Sequence, residues 1–220
     1  MKNLLKNVSF VILLLKMCIM YGQEIDAQKR IVIDVGHGGK DSGALGINGI
    51  MEKDIVLKIA KGIVSLNEIS EAPLDIYLTR YNDTLISLSD RTKLAKILNA
   101  DLFISLHCNH SKNPKARGIE VYVGTNESRN SKESVWLSYQ LQNQIQKQLG
   151  FDSRGVKFAN FKVLRETTSC ISFLLELGFL SNRDENNYFM EYENVKALAL
   201  TILSFTRKSL AYENNIYGIN

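Results

Sequence analysis

The sequence predicts an α/β fold in which a mostly parallel sheet is covered by helices on both faces. Three observations carry that reading. Ile31–Val35, Leu102–Leu106 and Ile171–Leu175 are short, almost continuously apolar runs, the pattern of strands buried on both sides. Segments of helical periodicity lie between them, such as Asp54–Leu66 with Ile55, Val56, Ile59, Ile63 and Leu66 on one face. The alternation of the two, punctuated by glycine-rich and polar turns, is that of an α/β chain.

Taken in order, Arg30–Val35 is expected as a buried strand rich in β-branched residues. Gly36-His37-Gly38-Gly39 follows at once, and three glycines around one histidine free the backbone and leave the imidazole uncrowded. A polar loop then reaches Glu52, which opens the amphipathic segment through Leu66. Ala72-Pro73 breaks it, and Leu74–Thr79 reads as a strand. Ser87-Leu88-Ser89-Asp90 has the form of a capping box and starts a helix to about Asn99. Leu102–Leu106 ends in His107-Cys108-Asn109-His110, and Gly118–Val123 is a further strand. Glu133–Leu149 is expected as a helix stopped by Gly150. The stretch from Phe151 to Lys162 reads as irregular, Ile171–Glu176 as a buried strand, and Glu191–Leu210 as a closing amphipathic helix.

A chain of 220 residues, 45% hydrophobic and 23% charged, suits one globular domain behind a leader. Residues 1–22 are read as an export signal: Lys2 and Lys6 precede the short apolar core Val8–Leu15, and Gly22 offers a small residue for cleavage. Lys16 interrupts the apolar run, which is too short for a spanning helix. The expectation is an exported protein of the periplasm or cell envelope with no stable membrane insertion after cleavage. Secretion, or anchoring by an uncleaved leader, is the alternative. The net charge of +4 includes three leader lysines and no leader acid, so residues 23–220 carry 24 basic against 23 acidic side chains. No basic face is implied, and nucleic acid is not an expected partner. Cys108 and Cys170 sit in apolar surroundings and read as buried thiols rather than a disulfide framework.

Four polar residues stand at strand ends or a helix start: His37, Glu52, His107 and Glu176. Two histidines and a carboxylate form a common catalytic zinc set with its fourth position open to water, and a further carboxylate can move that water's proton. Glu176 suits the second role, because it ends an apolar strand where an uncompensated charge is costly. Each residue also has a plainer reading. His37 can be a loop hydrogen-bonding residue, Glu52 a first-turn acid, His107 a satisfied core histidine, and Glu176 a partner of Arg165 or Arg183. His110 competes as a third imidazole. The four residues lie too far apart for spacing to join them.

Resemblance joins them. Ile33–Gly39 with Asp41-Ser42-Gly43-Ala44 and Glu52-Lys53 resembles the opening motif of the zinc-dependent N-acetylmuramoyl-L-alanine amidases, the Amidase_3 family. So do Leu78-Thr79-Arg80 with Leu88 and Arg91, Ala100–Asn109, Gly155-Val156-Lys157 with Val163-Leu164-Arg165, and Leu175–Asn182. The likeness covers about residues 30 to 210, making 23–220 an amidase catalytic domain. It implies a twisted sheet of about six strands flanked by helices and one zinc, held by His37, Glu52 and His107, with Glu176 as catalytic acid–base. It implies cleavage of the amide between the lactyl group of N-acetylmuramic acid and L-alanine in peptidoglycan; separately from the resemblance, a monomer is expected. Asn109 and Arg165 are candidate substrate contacts, the latter because a guanidinium fork suits a carboxylate. Arg91 is expected to pair with an acid such as Asp83. The segment Val123–Leu149 is too short for both its own helix and an inhibitory one, so the site is expected to be open; any activator protein is unknown. The alternatives are a zinc exopeptidase acting on free peptides and a non-catalytic wall-binding module.

Overall fold

The computed structural model describes residues 28–216, with side chains to residue 210, so the leader reading of residues 1–22 falls outside it. Six strands, β1 (Arg30–Val35), β2 (Asp75–Leu78), β3 (Leu102–Asn109), β4 (Ile119–Gly124), β5 (Ser153–Ala159) and β6 (Ile171–Phe179), form one sheet in the order β2-β1-β3-β6-β4-β5. All neighbours run parallel except β4 and β6. Six helices accompany them: α1 (Glu52–Glu68), α2 (Leu88–Ile97), α3 (Ser131–Leu149), α4 (Lys162–Arg165), α5 (Arg183–Met190) and α6 (Tyr192–Ile216). The mostly parallel sheet flanked by helices is the architecture expected from the apolar strands.

The strand side chains divide the core into two layers. Ile31, Ile33 and Val35 point with Ile104, Leu106, Phe173 and Leu175 toward α1, α3 and α6, and build the larger core. Val32, Phe103 and Leu174 face the other way, under Ala95 of α2 and Val163 and Leu164 of α4. On this thinner face the side chains turn polar along each strand. Val32 is followed by Asp34, Phe103 by Ser105 and His107, and Leu174 by Glu176, because alternate residues share a face. The polar ends meet where β1 has β2 on one side and β3 on the other. That is the position at which open α/β sheets bind ligands.

Ser87 caps α2 as expected: its hydroxyl accepts from the Asp90 amide at 3.2 Å. Gly150 ends α3 in the left-handed conformation at φ 77°. Three local expectations differ. The stretch read as irregular contains β5, an edge strand without hydrophobic alternation. A separate helix, α5, precedes the closing one, started by the Asn182 side chain accepting from the amides of Asp184 and Glu185. Arg91 pairs with Asp34 at 2.7 Å, while Asp83 pairs with Lys53. Cys108 and Cys170 are both buried and free. No helix among the described residues is long and apolar enough to cross a membrane.

Candidate active site

His37 sits just past β1 with a left-handed backbone at φ 56°, uncommon for a residue with a Cβ. Two buried arginines hold it there. Arg80 donates to the carbonyls of Val35 (3.1 Å) and Gly36 (2.8 Å) and, across to α1, to that of Lys53 (2.7 Å). Arg91 donates to the His37 carbonyl at 2.7 Å and to Asp34. Asp34, 1% exposed, also accepts from Thr79 and Ser105, so its two oxygens tie β1 to β3 and to the residue after β2. Three successive carbonyls that the loop leaves without strand partners are thus captured by guanidinium groups.

Glu52 is the first residue of α1 and 3% exposed. Its Oε1 lies 3.0 Å from His37 Nε2 and 2.8 Å from His107 Nδ1, and accepts from the Cys108 amide at 2.9 Å. Its Oε2 accepts from the Ala44 amide at 2.8 Å. One nitrogen or oxygen from each of His37, Glu52 and His107 falls within 4.8 Å of the others. The far nitrogen of His37, Nδ1, meets Asp41 at 2.9 Å, which orients the ring. The donor set and its convergence fit a divalent metal of the kind imidazole and carboxylate hold. Two glycines make room for it. A Cβ on Gly36 would stand 2.6 Å from the His107 ring, and one on Gly43 would stand 2.5 Å from Glu52 Oε2.

Glu176 on β6 is the register partner of His107 on β3, so its carboxyl lies on the same face beside the triad. Its Oε2 is buried and has no hydrogen-bond partner among the described residues. Neither Arg165 nor Arg183 pairs with it. Burial, helped by the charges of Glu52 and Glu120 and opposed by that of His107, pushes its pKa up to about 7. The triad behaves in the opposite way. Burial raises the Glu52 carboxyl, but hydrogen bonds from His107 and His37 override it and hold the group well below the usual range. Burial lowers His37, yet Glu52 and Asp41 carry it to about 9. A carboxyl poised near neutrality beside a firmly ionised one separates a proton carrier from a charge holder.

These groups line a groove of about 850 Å³. Leu85, Leu88 and Phe161 form an apolar wall, and Asn109 and His110 stand on the rim. His110 lies outside the convergent triad. Asn109 donates to Glu120 at 3.2 Å. Arg165 donates instead to the Asn160 carbonyl and side chain at the end of α4 and does not line the groove. No residue of the segment from 123 to 149 lines it either, since α3 packs on the far face. Sequence reasoning missed Asp34, Asp41 and Glu120. For Asp34 the signal was a lone acid inside an apolar strand.

A family model described as N-acetylmuramoyl-L-alanine amidase, Amidase_3, matches residues 31–206. The endolysin of Bacillus phage SPP1 is 40% identical over 159 residues, 71% of this chain and 57% of that protein. LytC of Bacillus subtilis strain 168, an N-acetylmuramoyl-L-alanine amidase, is 40% identical over 159 residues, 71% of this chain but 30% of its own length. The chain therefore spans less than two thirds of either curated relative. The catalytic domain of CwlV, an N-acetylmuramoyl-L-alanine amidase from Bacillus (Paenibacillus) polymyxa var. colistinus, superposes with a TM-score of 0.75 at 34% identity. That match covers 83% of this chain and 98% of the solved one.

Proposed function

The chain belongs to the Amidase_3 family, and we propose that it is a zinc-dependent N-acetylmuramoyl-L-alanine amidase acting on peptidoglycan. The carrying observation is the convergence of His37, Glu52 and His107 beside a buried, unpartnered Glu176. In this reading the triad holds zinc, which supplies Lewis acidity toward the scissile carbonyl and a water of lowered pKa. Glu176 takes a proton from the attacking water and delivers it to the departing L-alanine nitrogen. The apolar wall of Leu85, Leu88 and Phe161 shields the groove on one side and limits competing water. Asn109 positions substrate at the rim. Residues 1–22 direct export, which brings the enzyme to the envelope where its substrate lies.

Mass spectrometry of soluble products from purified peptidoglycan, with and without a chelator, tests the reading. Stem peptides with a free L-alanine amine beside peptide-free glycan are expected, and the chelator should abolish them. Shortened peptides or intact muropeptides would refute the bond assignment.

Gly43 provides an independent probe of the triad. Its φ of +64° and the 2.5 Å approach to Glu52 exclude a Cβ without movement. Gly43→Ala should cost about 1–2 kcal/mol in stability from the left-handed backbone alone. By displacing the Glu52 carboxylate it should also weaken zinc binding about tenfold, read by competition with a chromogenic chelator.

A further inference from the structure

Beyond the triad and Glu176, the same face of the sheet carries a second charged group. Glu120 on β4 is the register partner of Glu176 on the antiparallel pair, so the two carboxyls are side by side across strands. Glu120 is 3% exposed. It accepts from Lys157 (2.9 Å), Arg154, the Tyr122 hydroxyl (2.7 Å) and Asn109. Burial would raise its pKa, but these donors, Lys157 first, hold it below the usual range, so it is a fixed anion. One carboxylate shared by two cations leaves one positive charge without a partner in the cluster.

The two cations are held differently. Arg154 is anchored three ways: by Glu120, by the Arg117 carbonyl at 3.3 Å, and over the Phe179 ring at 5.0 Å. Lys157 has one hydrogen-bond partner among the described residues, Glu120, and lies over the Tyr122 ring at 5.8 Å. Its side chain is 38% exposed, and an ammonium has three donors, so two remain to be used. Tyr122 in turn packs edge-on against Phe161 of the groove wall at 5.2 Å, so the lysine lies one ring behind that wall, next to the groove rather than in it.

We propose that Lys157, held by Glu120 with Arg154 as its anchor, is a specificity-determining residue that binds a carboxylate of the stem peptide three to four residues beyond the scissile amide. The inference rests on the amidase reading above. Lys157 on β5 is the register partner of Tyr122, which pairs with Leu174, so it lies two strands across and two residues along from Glu176, or about 12 Å at 4.8 Å per strand and 3.3 Å per residue. An extended peptide covers that span in three to four residues. The charge must lie on the peptide side, because the lactyl carboxyl of an uncut substrate is tied up in the amide. The amide of Asn109, which donates to Glu120, links this anion recess to the rim beside His107.

The test uses two synthetic muramoyl peptides that differ in one stem α-carboxylate, free in one and amidated in the other. The full-length wild type should prefer the free acid about tenfold in kcat/KM, mostly through KM, as one half-exposed charge-assisted contact allows. Lys157→Met keeps the stem over Tyr122 and should bring the ratio near one; Lys157→Arg should restore most of it. A wild type indifferent to amidation, or a Lys157→Met enzyme that keeps the wild-type ratio, overturns the inference while the amidase reading stands. A wild type that cuts neither compound at the lactyl amide brings down that reading, and this inference with it.

Discussion

Glu176→Gln should lower turnover on peptidoglycan by about 10²–10⁴-fold, the usual contribution of a positioned proton carrier, while metal content stays at the wild-type level. The separation is the point of the experiment. Glu176 lies beside the triad but outside the three converging donors, and Glu52 draws its own hydrogen bonds from the Ala44 and Cys108 amides, not from Glu176. A glutamine fills the same volume and leaves those bonds in place. Loss of metal along with turnover would make Glu176 a ligand, and unchanged turnover would remove it from the chemistry.

The same variant has a signature in stability. In the metal-free protein Glu176 is raised to about 7 from an ordinary 4.5, chiefly by burial. Between those pH values the folded state binds more protons than the unfolded one, so stability falls as pH rises through that window. Below about 4.5 the carboxyl is protonated in both states and the penalty is absent. Glutamine has no charge to desolvate. The metal-free variant should therefore gain on the wild type as pH climbs from about 4.5 to 7, measured by denaturant midpoints. A parallel pair of curves would contradict the burial of this carboxyl.

How much of this was legible in the sequence depends on whether a residue's role is local. β1, β3 and β6 announced themselves because both faces of each strand are covered, so nearly every position is apolar. Ser87 and Gly150 marked helix ends through chemistry that acts within one turn. β5 did not, because an edge strand with Gly155 at positive φ and charges facing Glu120 has no periodicity to read. The four polar residues of the site became a constellation only through resemblance; the fold then brought them together by strand register, and the long loops and helices between the strands do not specify which strands pair. The supporting shell stayed hidden for a related reason. Arg91 found Asp34, 57 residues away, rather than the nearer Asp83, because the buried anion offers a drier and better-satisfied site than an exposed loop acid.

That buried pair should carry the largest stability effect in the chain. Arg91→Met removes the guanidinium that bridges Asp34 and the His37 carbonyl, leaving an ionised, 1% exposed carboxylate with only Thr79 and Ser105 as donors. Breaking one side of a buried pair costs about 3–5 kcal/mol, which for a domain of this size is roughly 6–20 °C in melting temperature. An exposed pair such as Arg117–Asp152 should cost no more than about 1 kcal/mol when broken. The double variant Asp34→Asn/Arg91→Met should regain part of the loss, since it no longer buries an uncompensated charge. It should not regain metal affinity, because the His37 carbonyl still lacks its donor and the strained backbone at φ 56° is free to relax. Recovered stability with unrecovered affinity would assign Arg91 two separable roles, one through Asp34 and one through His37. If both recover together, the arginine acts only as the counter-charge of Asp34, and Arg80 alone is enough to hold the histidine loop.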